Sequence, residues 1–542
     1  MQKHPHPLAL PLLILSLLAV APAGAATPQP AASEAVQARL NVQQFHVTGN
    51  TLLPEAQLLQ ALEPFKGEHS LAELQQAAAA VQALYRQAGY GGVVAYLPEQ
   101  SPAPGTLTIA VLEGRFSKIT FSGNARTDEA TLRRSLPLLR EGLTPQPQRL
   151  DAQIQLANEN PAHQMAVSLE PGAQPGEVDA QVLVKEQPAA RWTLGLDNTG
   201  NASTGRMRTT VGYQSAELWG LDHVLSLQYQ TSPENLDSVS VLSAGYRVPL
   251  YGAGLMLDVF AAHSDVDGGR TATVAGPLQF DGKGEVLGMR LGGRLARDGE
   301  LVQRLAAGLD RRAYLNNCSI EGLPAGACGS AGESVTVHPL SVDYLLQWTG
   351  SDPASLELTL SQNLEGGAHG RAADFQAVRP GANPGFLVLK LQAARASALP
   401  AGWQLQWRLQ GQASPDALVP GEQLGLGGAN AVRGYGEREL IGDQGLLGSL
   451  EVLTRDFSPL LGGAQAQWRG LFFVDAGKVW NHLGTPCRNG QSSCALASVG
   501  LGARMMIAGL QLRLDLAHTL KPGLQTDRHE QHVHLNATYS FP

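Results

Sequence analysis

Residues 403–410 read WQLQWRLQ, in which a large apolar residue alternates with an amide or a charged residue. The same alternation recurs in LSLQYQ at residues 225–230 and in LQLRLDL at residues 510–516. Side chains along a β-strand point alternately to its two faces, so each stretch predicts a strand with one apolar face. This pattern replaces helical periodicity from about Arg191 to Pro542, and it predicts an all-β C-terminal part.

A soluble β-sandwich also alternates, so the pattern alone leaves two architectures open. Three features favour a transmembrane barrel in contact with outer-membrane lipid: arginines on the polar faces, aromatic residues at strand ends, and an outward apolar face on the last strand. That face comprises Val533, Leu535, Ala537, Tyr539 and Phe541. About 350 residues at roughly 9–11 per strand predict about sixteen strands around an aqueous lumen. Pro542 follows the usual terminal aromatic, which predicts weaker recognition by the barrel assembly machinery.

The formal net charge is −8 and the isoelectric point is about 6.0. This balance offers no basic excess to neutralise a phosphate backbone, so nucleic acid is not expected as a partner.

The first 25 residues have the pattern of an export signal. Lys3 precedes an apolar run over residues 8–20, and Ala23-Gly24-Ala25 is a small-residue cleavage site. The alternative is a membrane anchor, but the run falls short of the roughly 20 residues that span a bilayer. We therefore expect a signal peptide at 1–25 and a short extension at 26–40.

The four cysteines form two close pairs, Cys318 with Cys328 and Cys487 with Cys494. In an exported chain, even numbers of cysteines in Gly- and Ser-rich loops favour local disulfides. Metal binding is the alternative, although the spacings match no zinc motif.

Residues 41–115 and 116–188 repeat one pattern of helices and strands, in the order strand, helix, helix, strand, strand. In the first copy, apolar spacing predicts helices at Glu55–Leu62 and Leu71–Gln87. In the second copy, helices are expected at Glu129–Leu139 and Arg149–Asn158. Val47-Thr48-Gly49-Asn50 is echoed by Phe121-Ser122-Gly123-Asn124. Each copy predicts a small α+β domain whose exposed strand edges can accept an extended partner segment.

Five motifs in order along the chain resemble those of the TpsB-type two-partner secretion transporters, the ShlB/FhaC/HecB hemolysin secretion/activation family. They are Asn160-Pro161 with Pro171-Gly172, Asp197-Asn198-Thr199-Gly200, Ser203-Thr204-Gly205-Arg206, the stretch from Leu424 to Tyr435, which ends in Val432-Arg433-Gly434-Tyr435, and Phe473-Val474-Asp475. The two N-terminal copies resemble polypeptide-transport-associated (POTRA) domains. Together these similarities cover nearly the whole expected mature chain.

The resemblance implies two periplasmic POTRA domains followed by an outer-membrane barrel at residues 189–542. It implies a transporter that captures an unfolded hemolysin- or adhesin-like exoprotein by its N-terminal secretion domain. In the family, the sixth outer loop folds into the lumen, and the arginine of its VRGY motif pairs with the aspartate of the F-x-D motif on the wall. Carried over, Arg433 is expected to meet Asp475 in a water-filled lumen, where such a pair positions the loop more than it stabilises the fold. Gly434 is expected to permit a tight backbone at the loop tip, while Tyr435 and Phe473 are expected to pack.

Some family members begin with a long helix that plugs the barrel, but residues 26–40 are too few for such a helix and a linker. No hydrolase elbow, Walker sequence or dinucleotide fingerprint is present, so no catalytic residues, cofactor or metal are expected. His529-Glu530 and His532 fall one residue short of a zincin motif. A barrel-assembly factor is the alternative function, and a passive porin would not need two N-terminal domains.

Overall fold

The computed structural model describes residues 39–100, 105–202, 204–237, 239–265, 269–273, 276–280, 283–295, 299–315, 333–460 and 466–542. The predicted signal peptide, nearly all of the predicted extension and the predicted Cys318–Cys328 disulfide lie outside these residues.

The first α+β unit packs two helices on a three-stranded sheet. Its elements are β1 (Arg39–Val42), β2 (Gln44–Thr48), α1 (Glu55–Leu62), β3 (Gly67–Ser70), α2 (Leu71–Gln87), β4 (Val93–Tyr96) and β5 (Thr106–Glu113). The sheet order is β2-β5-β4, with β2 parallel to β5. Helix α2 begins at a capping box between Ser70 and Glu73 and buries Leu74, Val81 and Tyr85. The predicted element order missed the short pair β1–β3, because GEHS at residues 67–70 carries no apolar alternation.

The second unit repeats the first. It comprises β6 (Arg115–Ser122), α3 (Glu129–Ser135), α4 (Pro147–Ala157), β7 (His163–Pro171) and β8 (Glu177–Glu186), with sheet order β6-β8-β7. Helix α3 ends at Ser135, whereas the sequence predicted it to continue to Leu139. The prediction was wrong because Pro137 disfavours a helical conformation at Leu136 and has no N–H to donate. Among the described residues, no helix is long and apolar enough to cross a membrane.

The Gly-Asn repeat has the same structural role in both units. Gly49 and Gly123 have φ of +81° and +85°, and a Cβ on either would lie 2.2 Å from a backbone carbonyl oxygen of the neighbouring strand. The turn that follows each Gly-Asn pair is then held by a strand-end glutamate. Glu113 accepts the N–H of Thr51 and Leu52, and Glu186 accepts the N–H of Arg126 and Thr127. The repeated sequence thus encodes a repeated turn closed by a carboxylate.

This turn gives a pH-dependent prediction. Burial alone would raise the pKa of Glu186, but the N–H groups of Thr127 and Arg126 lower it from 4.5 to about 2. Because the folded pKa lies below the ordinary value, the anion stabilises the turn above pH 4.5 and this contribution is lost as the pH falls through about 2. Hydrogen exchange on the intact protein should show protection of the Arg126 and Thr127 amides falling between about pH 5 and about pH 2.5. Glu186→Gln should lower that protection already at neutral pH.

The exposed Glu170 on β7 provides the matched control, because among the described residues its carboxylate accepts from the Gln181 side chain, at 3.1 Å, and not from either amide. Glu170→Gln should leave exchange at the two amides unchanged. Equal exchange in Glu186→Gln and the wild type would contradict the role of this carboxylate.

The C-terminal part closes into a barrel of sixteen strands, with β18 and β19 counted as one because they continue each other against β17. The elements of this part are β9 (Ala190–Asp197), β10 (Arg208–Leu218), β11 (His223–Thr231), β12 (Val241–Leu250), β13 (Leu255–Ser264), β14 (Gly269–Thr273), β15 (Gly276–Phe280), β16 (Gly284–Arg294), β17 (Leu301–Tyr314), β18 (Val335–Val337), β19 (Pro339–Trp348), β20 (Ala354–Asn363), α5 (Ala372–Val378), β21 (Leu387–Ala398), β22 (Gln404–Ala413), β23 (Leu424–Leu426), β24 (Leu440–Gly442), β25 (Gln444–Leu453), β26 (Ala466–Trp480), β27 (Ser493–Ile507), β28 (Leu510–Thr519) and β29 (Gln531–Phe541). The hairpins β14–β15 and β23–β24 and helix α5 lie in loops. The closed barrel of sixteen strands confirms the predicted fold class.

The two faces of the barrel strands differ as the alternation predicts. Large apolar side chains are exposed on the outer face, among them Leu227, Trp407, Leu514, Leu516 and Val533. The inner face carries charged side chains that pair across neighbouring strands, as Arg247 of β12 does with Asp258 of β13 at 2.7 Å. An apolar exterior around a charged interior is the arrangement that a lipid bilayer requires of a barrel.

The second α+β unit is joined to the barrel through Asp222, in the turn between β10 and β11. Asn160 donates to the Asp222 carboxylate at 2.8 Å and to the carbonyl oxygen of Ala216 at 2.7 Å, and Tyr251 donates to the same carboxylate at 2.6 Å. Burial raises the pKa of Asp222, although His163 at 3.6 Å opposes this. These buried contacts fix the orientation of the second unit at the barrel end where β9 begins.

Candidate functional site in the barrel lumen

Loop 6, residues 414–443 between β22 and β25, folds back into the lumen. Its tip residues Val432, Arg433 and Tyr435 are each at most 2% exposed. Val432 and Tyr435 belong to an apolar cluster with Leu447, Val479 and Leu496 of the barrel wall. The packing keeps the tip against strands β25 to β28 and leaves no solvent around it.

Arg433 and Asp475 form the centre of the site. The Arg433 Nε and Nη2 atoms donate to the two carboxylate oxygens of Asp475 at 2.7 and 2.8 Å. The Arg433 backbone N–H donates to the same carboxylate at 3.1 Å. Two parallel bonds from a planar guanidinium fix both its position and its orientation. The structure thus brings together the two residues that the family resemblance paired.

Four further groups of the wall surround the guanidinium. Its Nη1 atom lies 2.8 Å from a Glu451 carboxylate oxygen on β25 and 3.5 Å from one of Asp515 on β28. Its Nη2 atom donates to the Ser449 hydroxyl at 3.1 Å. The Phe473 ring covers one face, with its centroid 3.5 Å from the Arg433 Cζ atom, which is a cation–π contact. Sequence reasoning identified Phe473 but not Glu451 or Asp515, because nothing local in the sequence relates β25 and β28 to the loop.

The burial of this pair corrects one expectation. The sequence argument placed Arg433 and Asp475 in a water-filled lumen, but both residues are 0% exposed. Loop 6 itself excludes water from the pair, because its tip packs over Arg433 and Asp475 against the barrel wall. Removing one member of a buried pair leaves an uncompensated charge, so each charge depends strongly on its partner.

Gly434 and Tyr435 complete the tip. Gly434 has φ of +94°, and its N–H donates to the His534 Nε2 atom on β29 at 2.8 Å. The Tyr435 hydroxyl lies 2.8 and 2.7 Å from the carbonyl oxygens of Ala497 and Lys521. The tip therefore touches every wall strand from β25 to β29.

Gly434 gives the second prediction. A Cβ here would lie 3.1 Å from Thr519 Cγ2 and 3.2 Å from Ala517 Cβ, and the positive φ disfavours any L side chain. Gly434→Ala should weaken tip binding by about 1–3 kcal/mol, measured as faster cleavage of loop 6 by an added protease. Gly436→Ala is the control, because its Cβ would meet nothing nearer than 3.7 Å. Equal cleavage rates in the two variants would contradict a strict requirement for glycine.

The base of loop 6 is held on a different part of the wall. Arg312 Nη1 donates to Glu422 at 3.0 Å, and the Tyr314 hydroxyl donates to Glu422 at 2.7 Å. Both donors belong to β17, six strands from β26 around the wall. Loop 6 thus crosses the lumen and is bound at two separated places.

A third set of contacts, the mouth cluster, joins loop 5 (residues 364–386, between β20 and β21), loop 6 and loop 7 (residues 481–492, between β26 and β27). The cluster consists of Arg379, Leu418, Gln423, Asp443 and His482. Arg379 of loop 5 donates to both oxygens of Asp443, at 2.5 and 2.9 Å. Asp443 also accepts from the N–H of Leu418 and His482 and from the Gln423 amide. Asp443 is 0% exposed, and burial by itself would raise its pKa, but these donors lower it. Sequence reasoning did not identify this cluster, since no motif marks it.

The remaining predicted residues lie near loop 6. Cys487 and Cys494 form a disulfide in the apolar cluster beside Val432, with Cys494 inside β27. His532 faces inward next to Glu530, at 3.0 Å. Within the described part of the chain, no group of three or more His, Cys, Asp or Glu side chains is placed to hold a metal ion.

Comparison with known sequences identifies two matches to protein families. A family described as haemolysin secretion/activation protein ShlB/FhaC/HecB matches residues 176–505, more than half of the chain. A family described as POTRA domain, ShlB-type matches residues 40–114.

Individual relatives agree with these matches. The outer membrane transporter CdiB of Dickeya dadantii is 25% identical over 430 residues, covering 76% of this chain and 71% of the relative. The heme/hemopexin transporter protein HuxB of Haemophilus influenzae is 24% identical over 473 residues, covering 82% and 76%. Among solved structures, CdiB from Escherichia coli has a TM-score of 0.73 at 20% identity, covering 95% and 93% of the two chains. BamA from Haemophilus ducreyi lacking POTRA domains 1–3 has a TM-score of 0.51 at 16% identity, covering 92% and 100%.

Proposed function

The chain belongs to the haemolysin secretion/activation family ShlB/FhaC/HecB, and on that premise we propose that loop 6 closes its lumen until an exported protein arrives. The protein is an outer-membrane transporter of the two-partner type, which secretes an exoprotein to the cell surface. Its family works with secreted TpsA-like partners and consists of transporters rather than known enzymes.

The observation that carries the proposal is the position of loop 6 across the lumen. An exported chain must pass through the space that residues 414–443 occupy. The tip and base of loop 6 are held by ion pairs and hydrogen bonds. An exported chain can replace such contacts with contacts of its own, whereas it could not break a covalent link. Arg433 with Asp475 is therefore proposed to hold the closed state, with Phe473 and Tyr435 orienting the tip.

The α+β units are proposed to receive the exoprotein. Residues 41–115 and 116–188 would act as the two periplasmic POTRA domains, following a signal peptide at residues 1–25. The outer strands β4 and β7 each pair on one side only in the described sheets, so an extended secretion-domain segment could add to either edge. Outer-membrane lipid and the barrel assembly machinery are the further proposed partners, during insertion.

The test is secretion of a TpsA-like exoprotein by the native host, in cells with and without the chain. Loss of the exoprotein from the medium on deletion, with other barrels at normal levels, is the expected result. Normal secretion together with depletion of other barrels would instead support an assembly factor. The fold is also similar to BamA, but family membership favours the transporter.

A further inference from the structure

His534 connects the tip of loop 6 to the strand that closes the barrel. It lies on the inner face of β29, where its Nε2 atom is 2.8 Å from the Gly434 backbone nitrogen. A backbone N–H can only donate, so Nε2 must carry a lone pair and the ring must be neutral in this arrangement. The contact therefore defines the protonation state of the ring as well as its position.

At His534, strand β29 pairs with β28 but not with β9. The pairing of β29 with β9 runs only from Asn536 to Phe541, although β29 begins at Gln531. Beyond that pairing, the Asn198 side chain donates to the carbonyl oxygen of Val533 and accepts the N–H of Leu535. His534 thus lies in the part of β29 that has no strand partner on the β9 side.

We propose that neutral His534 is a positioning residue that holds the loop 6 tip to β29, and that its protonation detaches the tip from β29. Protonation at Nε2 removes the acceptor that the Gly434 N–H has among the described residues and places two donors against each other. The tip would then remain bound to β26 through Arg433 but would lose its contact with the closing strand. The inference rests on the proposed closure of the lumen by loop 6.

The charged and titratable groups that face His534 come from several elements. They are Arg433 of loop 6, Asp475 of β26, Asp515 of β28 and His532 of its own strand. The carboxylates attract a protonated ring, whereas Arg433 and His532 repel it. Since Arg433 already pairs with Asp475 and Arg504 with Asp515 at 2.9 Å, these carboxylates are engaged.

The test measures the conductance of the purified full-length protein in planar bilayers at about pH 7.5 and at about pH 5, on either side of the ordinary histidine pKa. The wild type should open more often at the lower pH, by about fivefold for the loss of one hydrogen bond. His534→Gln retains an acceptor oxygen and cannot titrate in this range, so it should stay closed at both values. His534→Leu has no acceptor and should be open at both values by the same factor.

His532→Gln is the matched control, because His532 lies two residues away on the same face and contacts Glu530 instead of the loop. It should keep the wild-type pH response. An unchanged pH response in His534→Gln, or a closed His534→Leu channel at the higher pH, would overturn the proposal. Failure of the wild type to secrete its exoprotein would overturn the proposed function instead, so the two failures are distinguishable. Barrel levels in the outer membrane show whether each variant folds.

Discussion

Arg433→Ala is expected to open the lumen while the barrel still inserts. The change leaves Asp475, Glu451 and Asp515 facing one another with at most 7% exposure. Removing one member of a buried ion pair costs about 3–5 kcal/mol, and here that cost destabilises the position of loop 6 bound to the wall. Since loop 6 is not a barrel strand, the sixteen-stranded wall should persist. Conductance of the purified protein in planar bilayers should rise about tenfold or more at normal barrel levels in the outer membrane, because 1.4 kcal/mol corresponds to a factor of ten.

One further variant separates the charge of Arg433 from its bonding geometry, and a second serves as a control. Arg433→Lys keeps the positive charge but cannot form the two parallel bonds to Asp475, so an intermediate rise in conductance is expected. Arg395→Ala is the control, because Arg395 forms an exposed pair with Asp352 at 3.1 Å, and such pairs contribute about 1 kcal/mol or less. A conductance of Arg433→Ala equal to that of the wild type, at normal barrel levels, would refute the proposed role of the tip.

Asp443→Ala is expected to open the outer mouth of the barrel. It removes the acceptor of four donor groups from loops 5, 6 and 7 and leaves Arg379, which is 6% exposed, without its carboxylate. The expected cost is again about 3–5 kcal/mol, now shared among three loops. Conductance in planar bilayers should rise, and chymotrypsin should cleave after Phe375 of loop 5, whose side chain is 0% exposed in the wild type.

A double substitution tests whether this effect arises from the pair. Arg379→Ala combined with Asp443→Ala leaves no buried unpaired charge, so its destabilisation should be smaller than the sum of the single effects. Asp352→Ala is the exposed control and should change neither readout. Additive effects of the two single substitutions would show that the pair does not hold the mouth cluster together.

Several features of this protein could be predicted from local sequence. Alternation such as WQLQWRLQ at residues 403–410 predicts a two-faced strand directly, because the side-chain period of a strand is two. Helix α2 agrees with its prediction at both ends, since apolar spacing, a capping box and Gly89 all agree locally. Arg433 and Asp475 could be paired only through the family resemblance, because 42 residues separate them.

What the tertiary structure alone decided is which residues meet in the lumen. Glu451, Asp515 and His534 lie on three strands whose shared inner face depends on the register and closure of the whole barrel. The mouth cluster likewise joins loops that are distant in sequence, so no local pattern marks it. The tip charges are buried because loop 6 folds back over its own contacts. Local sequence determines which face of a strand a side chain takes, whereas long-range strand pairing and the path of loop 6 determine its neighbours and its exposure to water.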